Sequence, residues 1–328
     1  MAELRWDPLR GEWVAVASAR QDRTFLPPRE LCPLCPTVLG GPLTEAPEPY
    51  QIAVLQNRFP ALRQDPGAPG IEDAELWPVR PGFGICEVVL YTANHDSALS
   101  RLPREHLEQV VQVWIDRYRV LGAKQSIDYV YIFENRGEAV GVTLLHPHGQ
   151  IYAMPFVPPI PARELANGAH HRQRTGRCLI CDVVAEERRQ AVRVVFDNGR
   201  FAVYCPFASR FPYEAHVTAT RHLGSLLEFS MDDCRAFAGA LGALVRAYDR
   251  LWNEPMPYMM VMHQAPTDGQ VSPDAHFHVE FYPLARSPEK LKFLASSETG
   301  AGLFVTDLPP EDTASALRTA LDPVFPTG

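Results

Sequence analysis

The sequence has no run of apolar residues approaching the roughly 20 needed to span a bilayer, so no membrane-crossing helix is expected. It also lacks a basic block, and its formal net charge is −8, which argues against nonspecific binding to nucleic acid. The opening stretch, MAELRWDPLRGEWVAV, shows no basic segment followed by an apolar one. No secretory leader is expected, and a cytoplasmic location is the default. Seven cysteines make an odd number for a disulfide framework.

What the chain does have is bulk. Its 328 residues, 46% of them apolar, can bury the core of one large or two ordinary domains. The 31 prolines cluster. Residues 27–48 and 64–70 read as loops. The segment PFVPPIPARE at 155–164 reads as a connection, because proline blocks both helix and sheet pairing, and the polar residues 165–177 continue it. The chain thus divides into halves, 1–164 and 165–328. Four cysteines form two CxxC pairs, Cys32/Cys35 and Cys178/Cys181. In a reducing compartment such pairs are metal or redox sites more often than disulfides. Cys86, Cys205 and Cys234 sit in apolar surroundings and read as core packing.

Each half runs through the same succession: a CxxC pair, a strand-like run, a His before a long helix, a strand hairpin and a His-x-His. The histidines before the helices are His95 and His222. The helices are expected near 102–123 and 230–252. Leu107, Val110, Val111, Trp114, Ile115 and Tyr118 repeat at the spacing of one helical face. Ser230 reads as an N-cap, with Asp232 and Asp233 in the first turn. Fifty-one positions separate His95 from His146, and fifty-four separate His222 from His276. The recurrence points to an internal duplication in which both halves supply strands to one antiparallel sheet.

The sharpest signal is LLHPHGQIYAM. Strand alternation puts His146, His148 and Gln150 on one face and Pro147 and Gly149 on the other. Proline there predicts an edge strand, because it cannot donate a ladder hydrogen bond. Three polar side chains on one face are hard to hide in a core, since each needs a partner when buried. A catalytic or metal-binding role follows.

HPHGQ resembles the signature of galactose-1-phosphate uridylyltransferases, a branch of the histidine-triad superfamily. RWDPLRGEWVAVASARQDR, CPLC, NRFPAL, FENRGEAVG, HFHVEFYPL and KFLASSETGAG appear in the order such enzymes show. The resemblance implies an α+β fold: two histidine-triad-like halves sharing a large, mostly antiparallel sheet flanked by helices. It implies a homodimer and a transfer of UMP from UDP-glucose to galactose-1-phosphate. His148 corresponds to the nucleophile that attacks the α-phosphorus. Neutral imidazole suits that task near pH 7. Gln150 stands where hydrolytic relatives carry a third His. Its amide can hold a phosphoryl oxygen but supplies no proton, which suits exchange between phosphates.

Cys32, Cys35, His95 and His146 match the family's structural zinc ligands, and the donor set suits tetrahedral Zn2+. The duplication offers Cys178, Cys181, His222 and His276 as a second zinc site. Well-known members instead carry iron in this half, and Glu164, His263 and His278 fall on three of those ligand positions. Glu280 stands where the last His would be. The two ligand sets are read as competing, and soft thiolates favour the second zinc. His278 sits where a second nucleophile would sit, but the carboxylate of Glu280 would repel phosphate, so this half is expected to be silent.

Arg20 and Arg23 match a phosphate-binding pair. Asn57 and Phe59 match nucleoside contacts, while Arg58 replaces an acid. Asn135, Gly141, Val142 and Thr143 match a phosphate-lining loop. Lys292, Phe293 and Glu298 match hexose contacts, with Ser297 in place of an aromatic hydroxyl. Two alternatives are weighed. An ADP-glucose–phosphate adenylyltransferase is favoured by the second CxxC and disfavoured by HPHGQ. A zinc-stabilised nucleotide-binding protein without turnover is disfavoured by the intact His148/Gln150 pair.

Overall fold

The computed structural model describes residues 2–38, 44–46 and 49–325. Of the expected loop at 27–48, residues 39–43 and 47–48 lie outside the described residues. Its described part is irregular apart from a 3-10 turn at Arg29–Leu31 and a single parallel bridge between Pro36 and Ala46. In chain order the strands and helices are β1 (Ala2–Asp7), β2 (Glu12–Ala17), β3 (Ala53–Gln56), β4 (Val79–Pro81), β5 (Ile85–Leu90), α1 (Arg104–Gly122), β6 (Tyr129–Arg136) and β7 (His148–Met154). There follow α2 (Pro159–Thr175), α3 (Leu179–Gln190), β8 (Val194–Asp197), β9 (Phe201–Tyr204), β10 (Ala215–Ala219), α4 (Met231–Arg250), β11 (Tyr258–His263) and β12 (His278–Pro283). The chain ends with β13 (Ala285–Ser287), β14 (Lys290–Leu291), α5 (Ser296–Ala301) and α6 (Pro310–Ala320).

Nine strands form one antiparallel sheet in the order β3-β5-β7-β6-β11-β12-β10-β9-β8. The order mirrors itself about the β6–β11 pair, four strands on one side and five on the other, with β8 as the extra edge strand of the second half. Outward from that join, each half places a hairpin strand, then the strand that follows or carries the His-x-His, then the strand that precedes the long helix. The duplicated succession in sequence is therefore a duplication in space, in an α+β sheet flanked by helices. Helices α1 and α4 pack on one face of the sheet and on each other. Their inward side chains, among them Trp114 and Tyr118 of α1 and Phe237, Leu241 and Tyr248 of α4, meet Val89, Ile132, Ile151, Val203, Val217, Val279 and Phe281 of the sheet. Each large apolar side chain fully buried there contributes about 1.5–3 kcal/mol. Gly242 allows the close approach: a Cβ on it would stand 2.5 Å from Phe325 and 2.9 Å from Leu107. Cys86, Cys205 and Cys234 are buried among apolar neighbours, as their surroundings in sequence indicate.

The cap of α4 is the expected one. Ser230 Oγ accepts from the Asp233 N–H at 3.2 Å, and the Asp233 carboxylate accepts from the Ser230 N–H at 2.9 Å. The linker expectation is overturned. Residues 159–175 form α2, not an irregular connection. The prolines stand in its first turn, where their fixed φ and missing N–H fit helix geometry. A helix therefore crosses the division expected at 164/165. Among the described residues no helix is long and apolar enough to cross a membrane.

Candidate active site

Strand β7 begins at His148 and lies between β5 and β6, so the edge expectation for this strand is wrong. Pro147 precedes the first ladder position and costs no hydrogen bond. Its carbonyl even accepts from the Tyr91 N–H at 3.2 Å. Access to the polar face comes from the open sheet surface and not from a free edge. Gly149 points the other way, toward the core, where a Cβ would stand 2.0 Å from the Tyr91 hydroxyl. No residue with a side chain fits between the two functional positions of this strand.

His148 Nδ1–H donates to the His146 carbonyl at 2.7 Å. That bond fixes the tautomer and leaves the lone pair on Nε2. Burial holds the ring's pKa below the ordinary imidazole value, against the opposing pull of the same carbonyl. The ring is therefore neutral at pH 7. Asn57 Nδ2 donates to Gln150 Oε1 at 3.3 Å, so the amide's NH2 end is the one left for a ligand oxygen.

His148 and Gln150 line a cavity together with Arg20, Arg23, Asn57, Phe59 and Thr143. Arg20 is held in place: its Nη1 donates to the Tyr152 hydroxyl at 3.1 Å and to the Phe59 carbonyl at 3.4 Å. Arg23 Nε donates to the Arg20 carbonyl at 3.0 Å. Two guanidiniums thus face a neutral imidazole, an arrangement that suits a phosphate ester. Asn135 and Val142 line a second cleft on the other side of His148. Gly141 ends a short 3-10 turn between them with φ +79, a left-handed conformation that favours glycine. Lys292, Phe293 and Glu298 line neither cavity. Lys292 Nζ is buried against Glu298 at 3.0 Å, and Phe293 is 73% exposed.

Both cysteine–histidine sets assemble. In each, the four donor atoms lie within 4.8 Å of one another. Cys35 Sγ lies 3.4 Å from His95 Nδ1 and 3.6 Å from His146 Nδ1. His146 Nε2 donates to the Thr92 carbonyl at 2.8 Å, which turns Nδ1 toward the thiols. Burial and the neighbouring Cys32 push the Cys35 thiol up to about 11. Cys178 and Cys181 approach His276 Nδ1 at 3.6 and 3.4 Å, and burial pushes the Cys181 thiol up to about 12. Cys32 and Cys178 are buried, Cys35 and Cys181 are half-buried, and burial lowers the His146 and His276 rings to about 4, so these lone pairs and thiols suit a soft divalent cation and both sets fit a tetrahedral metal.

The two ligand sets read as competing both assemble. Glu164, His263, His278 and Glu280 form a third cluster that shares no residue with the second thiolate set. Sequence reading counted Glu280 as a lost ligand. The structure brings its carboxylate into the cluster as a donor. It also brings His216, whose Nε2 lies 3.4 Å from Glu280 Oε1. The signal for His216 lay in the cross-strand register of β10 and β12, which sequence does not display. Burial depresses the pKa of His278, but Glu280 and Glu164 outweigh it and lift the value to about 9. The cavity around this cluster is lined by Glu164, Asp274 and Glu280 and by no arginine or lysine among the described residues.

A duplicated sheet that lines one cavity with a tautomer-fixed imidazole and two guanidiniums suits a nucleotidyltransferase. Family models for the N-terminal and C-terminal domains of galactose-1-phosphate uridyl transferase match residues 1–158 and 164–321. The galactose-1-phosphate uridylyltransferase of Thermotoga maritima is 42% identical over 97% of this chain and 98% of its own length. That of Streptomyces lividans is 35% identical over 98% of this chain and 88% of its own. A solved uridylyltransferase structure superposes with a TM-score of 0.88 at 34% identity, covering 97% of this chain and 98% of that one. The chain belongs to the galactose-1-phosphate uridylyltransferase family.

Proposed function

We propose that the chain transfers UMP from UDP-glucose to galactose-1-phosphate, giving UDP-galactose and glucose-1-phosphate, through a covalent uridylyl-His148. The observation that carries this reading is the 2.7 Å bond from His148 Nδ1 to the His146 carbonyl, which leaves Nε2 as the nucleophilic atom. Nε2 attacks the α-phosphorus, and the bond to glucose-1-phosphate breaks with its electron pair on the leaving phosphate. The Nδ1 proton stays on the ring and its charge is held by the carbonyl. An oxygen of galactose-1-phosphate then attacks phosphorus, and the N–P bond breaks. Arg20, Arg23 and the Gln150 amide hold phosphoryl oxygens as charge moves among them. Neither leaving group needs a proton, which is why an amide serves at 150. The test is incubation with UDP-glucose labelled at the α-phosphorus, with ADP-glucose as comparison. Acid-labile, base-stable label from UDP-glucose is expected. Stronger labelling from ADP-glucose would replace uridylyl by adenylyl transfer.

Zn2+ is the proposed ion for the sets Cys32/Cys35/His95/His146 and Cys178/Cys181/His222/His276, where it supplies fixed geometry to the loops. In this reading Glu164, His263, His278 and Glu280 form a charged network. Elemental analysis decides: two zinc per chain is expected, and iron would assign that network to a metal instead. The halves 1–164 and 165–328 are taken as the duplicated units, working in the cytoplasm as a homodimer. The hexose residues Lys292, Phe293 and Glu298 lie apart from the His148 cavities, beside exposed Leu294, Leu303 and Val305. A second copy would bring such a segment to the site.

A further inference from the structure

Among the described residues lining the cavity that His148 shares with Arg20 and Arg23, Glu45 is the only acid. A carboxylate is out of place beside phosphates, so its partners matter. Arg58 Nη1 donates to Glu45 Oε1 at 3.1 Å, which offsets the charge and leaves Oε2 without a hydrogen-bond donor among the described residues. The segment that carries Glu45 is tied down. The Glu45 N–H donates to the Pro33 carbonyl at 2.8 Å, Thr37 Oγ1 donates to the Ala46 carbonyl at 3.1 Å, and Pro36 and Ala46 form a parallel bridge. Glu45 is thus mounted on the first CxxC loop and not on a free strap. The cavity itself is polarised. Arg20, Arg23 and Gln150 make one end suited to phosphate, while Pro33, Leu34 and Phe59 make an apolar wall suited to a planar base. Glu45 stands beside Pro33 and Arg58, on the apolar side.

We propose that Glu45, held by Arg58, accepts hydrogen bonds from the ribose hydroxyls of the nucleotide substrate. This rests on the functional reading above and deepens it. An ionised carboxylate offers only acceptors, and a vicinal diol offers two donors. The diol nearest a base is the ribose, not the hexose beyond the phosphates. A preset carboxylate loses little freedom on binding, so it discriminates strongly against a ligand that lacks the hydroxyl.

The experiment compares kcat/KM for UDP-glucose, its 2′-deoxyribose analogue and UDP-2-deoxyglucose, in wild type, Glu45→Gln and Glu45→Ala. Covalent labelling of His148 by UDP-glucose serves as the control for folding and chemistry. Wild type should prefer ribose over deoxyribose by on the order of 10- to 100-fold, the size of a lost hydrogen bond to a charged group. Both variants should still be labelled, and their ribose preference should shrink to within about threefold. Preference at the hexose should not move. A ribose preference retained in both variants, or absent in wild type, overturns the proposal, as does a loss confined to the hexose analogue. Absence of labelling in wild type would remove the functional reading and this inference together, whereas labelling with an unchanged ratio removes this inference alone.

Discussion

The second histidines of the two halves share a backbone bond and differ in everything that faces their free nitrogen. His148 Nδ1 donates to the carbonyl two residues back at 2.7 Å, and His278 does the same at 2.8 Å. In the first half the ring then meets an amide and two guanidiniums, and burial keeps it neutral. In the second half Glu164 and Glu280 stand 3.8 and 3.6 Å from Nε2 and keep it protonated. The carbonyl holds the Nδ1 proton in both cases. Charge in the surroundings decides whether a lone pair exists at pH 7. Duplication of the strand therefore duplicates backbone geometry without duplicating the charge around the ring.

The largest effect belongs to His148. Replacing it with Gly should abolish nucleotidyl transfer, by on the order of 10⁴-fold or more, while the far-UV spectrum stays native. Isotope exchange between UDP-glucose and glucose-1-phosphate measures it. Substantial exchange without added imidazole would mean that reactivity lies elsewhere, and the contrast between the halves would collapse. His278→Gly gives the complementary arm and should leave exchange largely intact.

Gln150→His comes next. It places a protonatable ring where the first half needs an amide, and exchange should fall by on the order of 10²-fold, as for loss of one charge-stabilising donor. An unchanged rate would reduce Gln150 to a strand residue.

Glu280→Gln tests the contrast from the other side. Removing one of the two carboxylates should bring the pKa of His278 down from about 9 toward the ordinary imidazole range. Histidine ring NMR would read the shift. The variant should still not be labelled by UDP-glucose, because no arginine or lysine among the described residues lines that cavity. A pKa that stays near 9 would make Glu164 the dominant partner.

The smallest effect concerns the helices. Only the second half's long helix carries a side-chain capping box; α1 follows Pro103 with no side-chain cap. Burial alone would raise the Asp233 carboxyl, but Ser230, Arg221 and Arg200 overcome it and hold it near 2, below the ordinary 3.8. Its folded value is depressed, so its contribution is present above pH 4 and is lost as pH falls from about 4 to 2. Asp233→Ala should cost about 2 kcal/mol at neutral pH and flatten that part of the acid unfolding curve. An identical acid limb in wild type and variant would count against it.

Much of this arrangement was readable from local pattern. Apolar spacing located α1 and α4 to within two residues at each end, and the recurrence of CxxC, His and His-x-His announced the paired halves. Side-chain alternation placed His148 and Gln150 on one face. Misreadings arose where proline has two meanings. Pro147 stands before its strand, not on an edge, and Pro159 and Pro161 open a helix, because the missing N–H is harmless at both places. The remaining features are pairings between distant segments. Register alone sets His216 across from Glu280, and a loop closure alone sets Glu45 against Arg58. Neither leaves a mark in composition or period.

One measurement addresses the difference between the halves directly. The wild-type protein is incubated with UDP-glucose radiolabelled at the α-phosphorus, digested under alkaline conditions, and the label is mapped by peptide. A single uridylyl group on the peptide containing His148, with none on the peptide containing His278, is the predicted result. Label on the His278 peptide, or label on neither histidine during active exchange, would contradict the account.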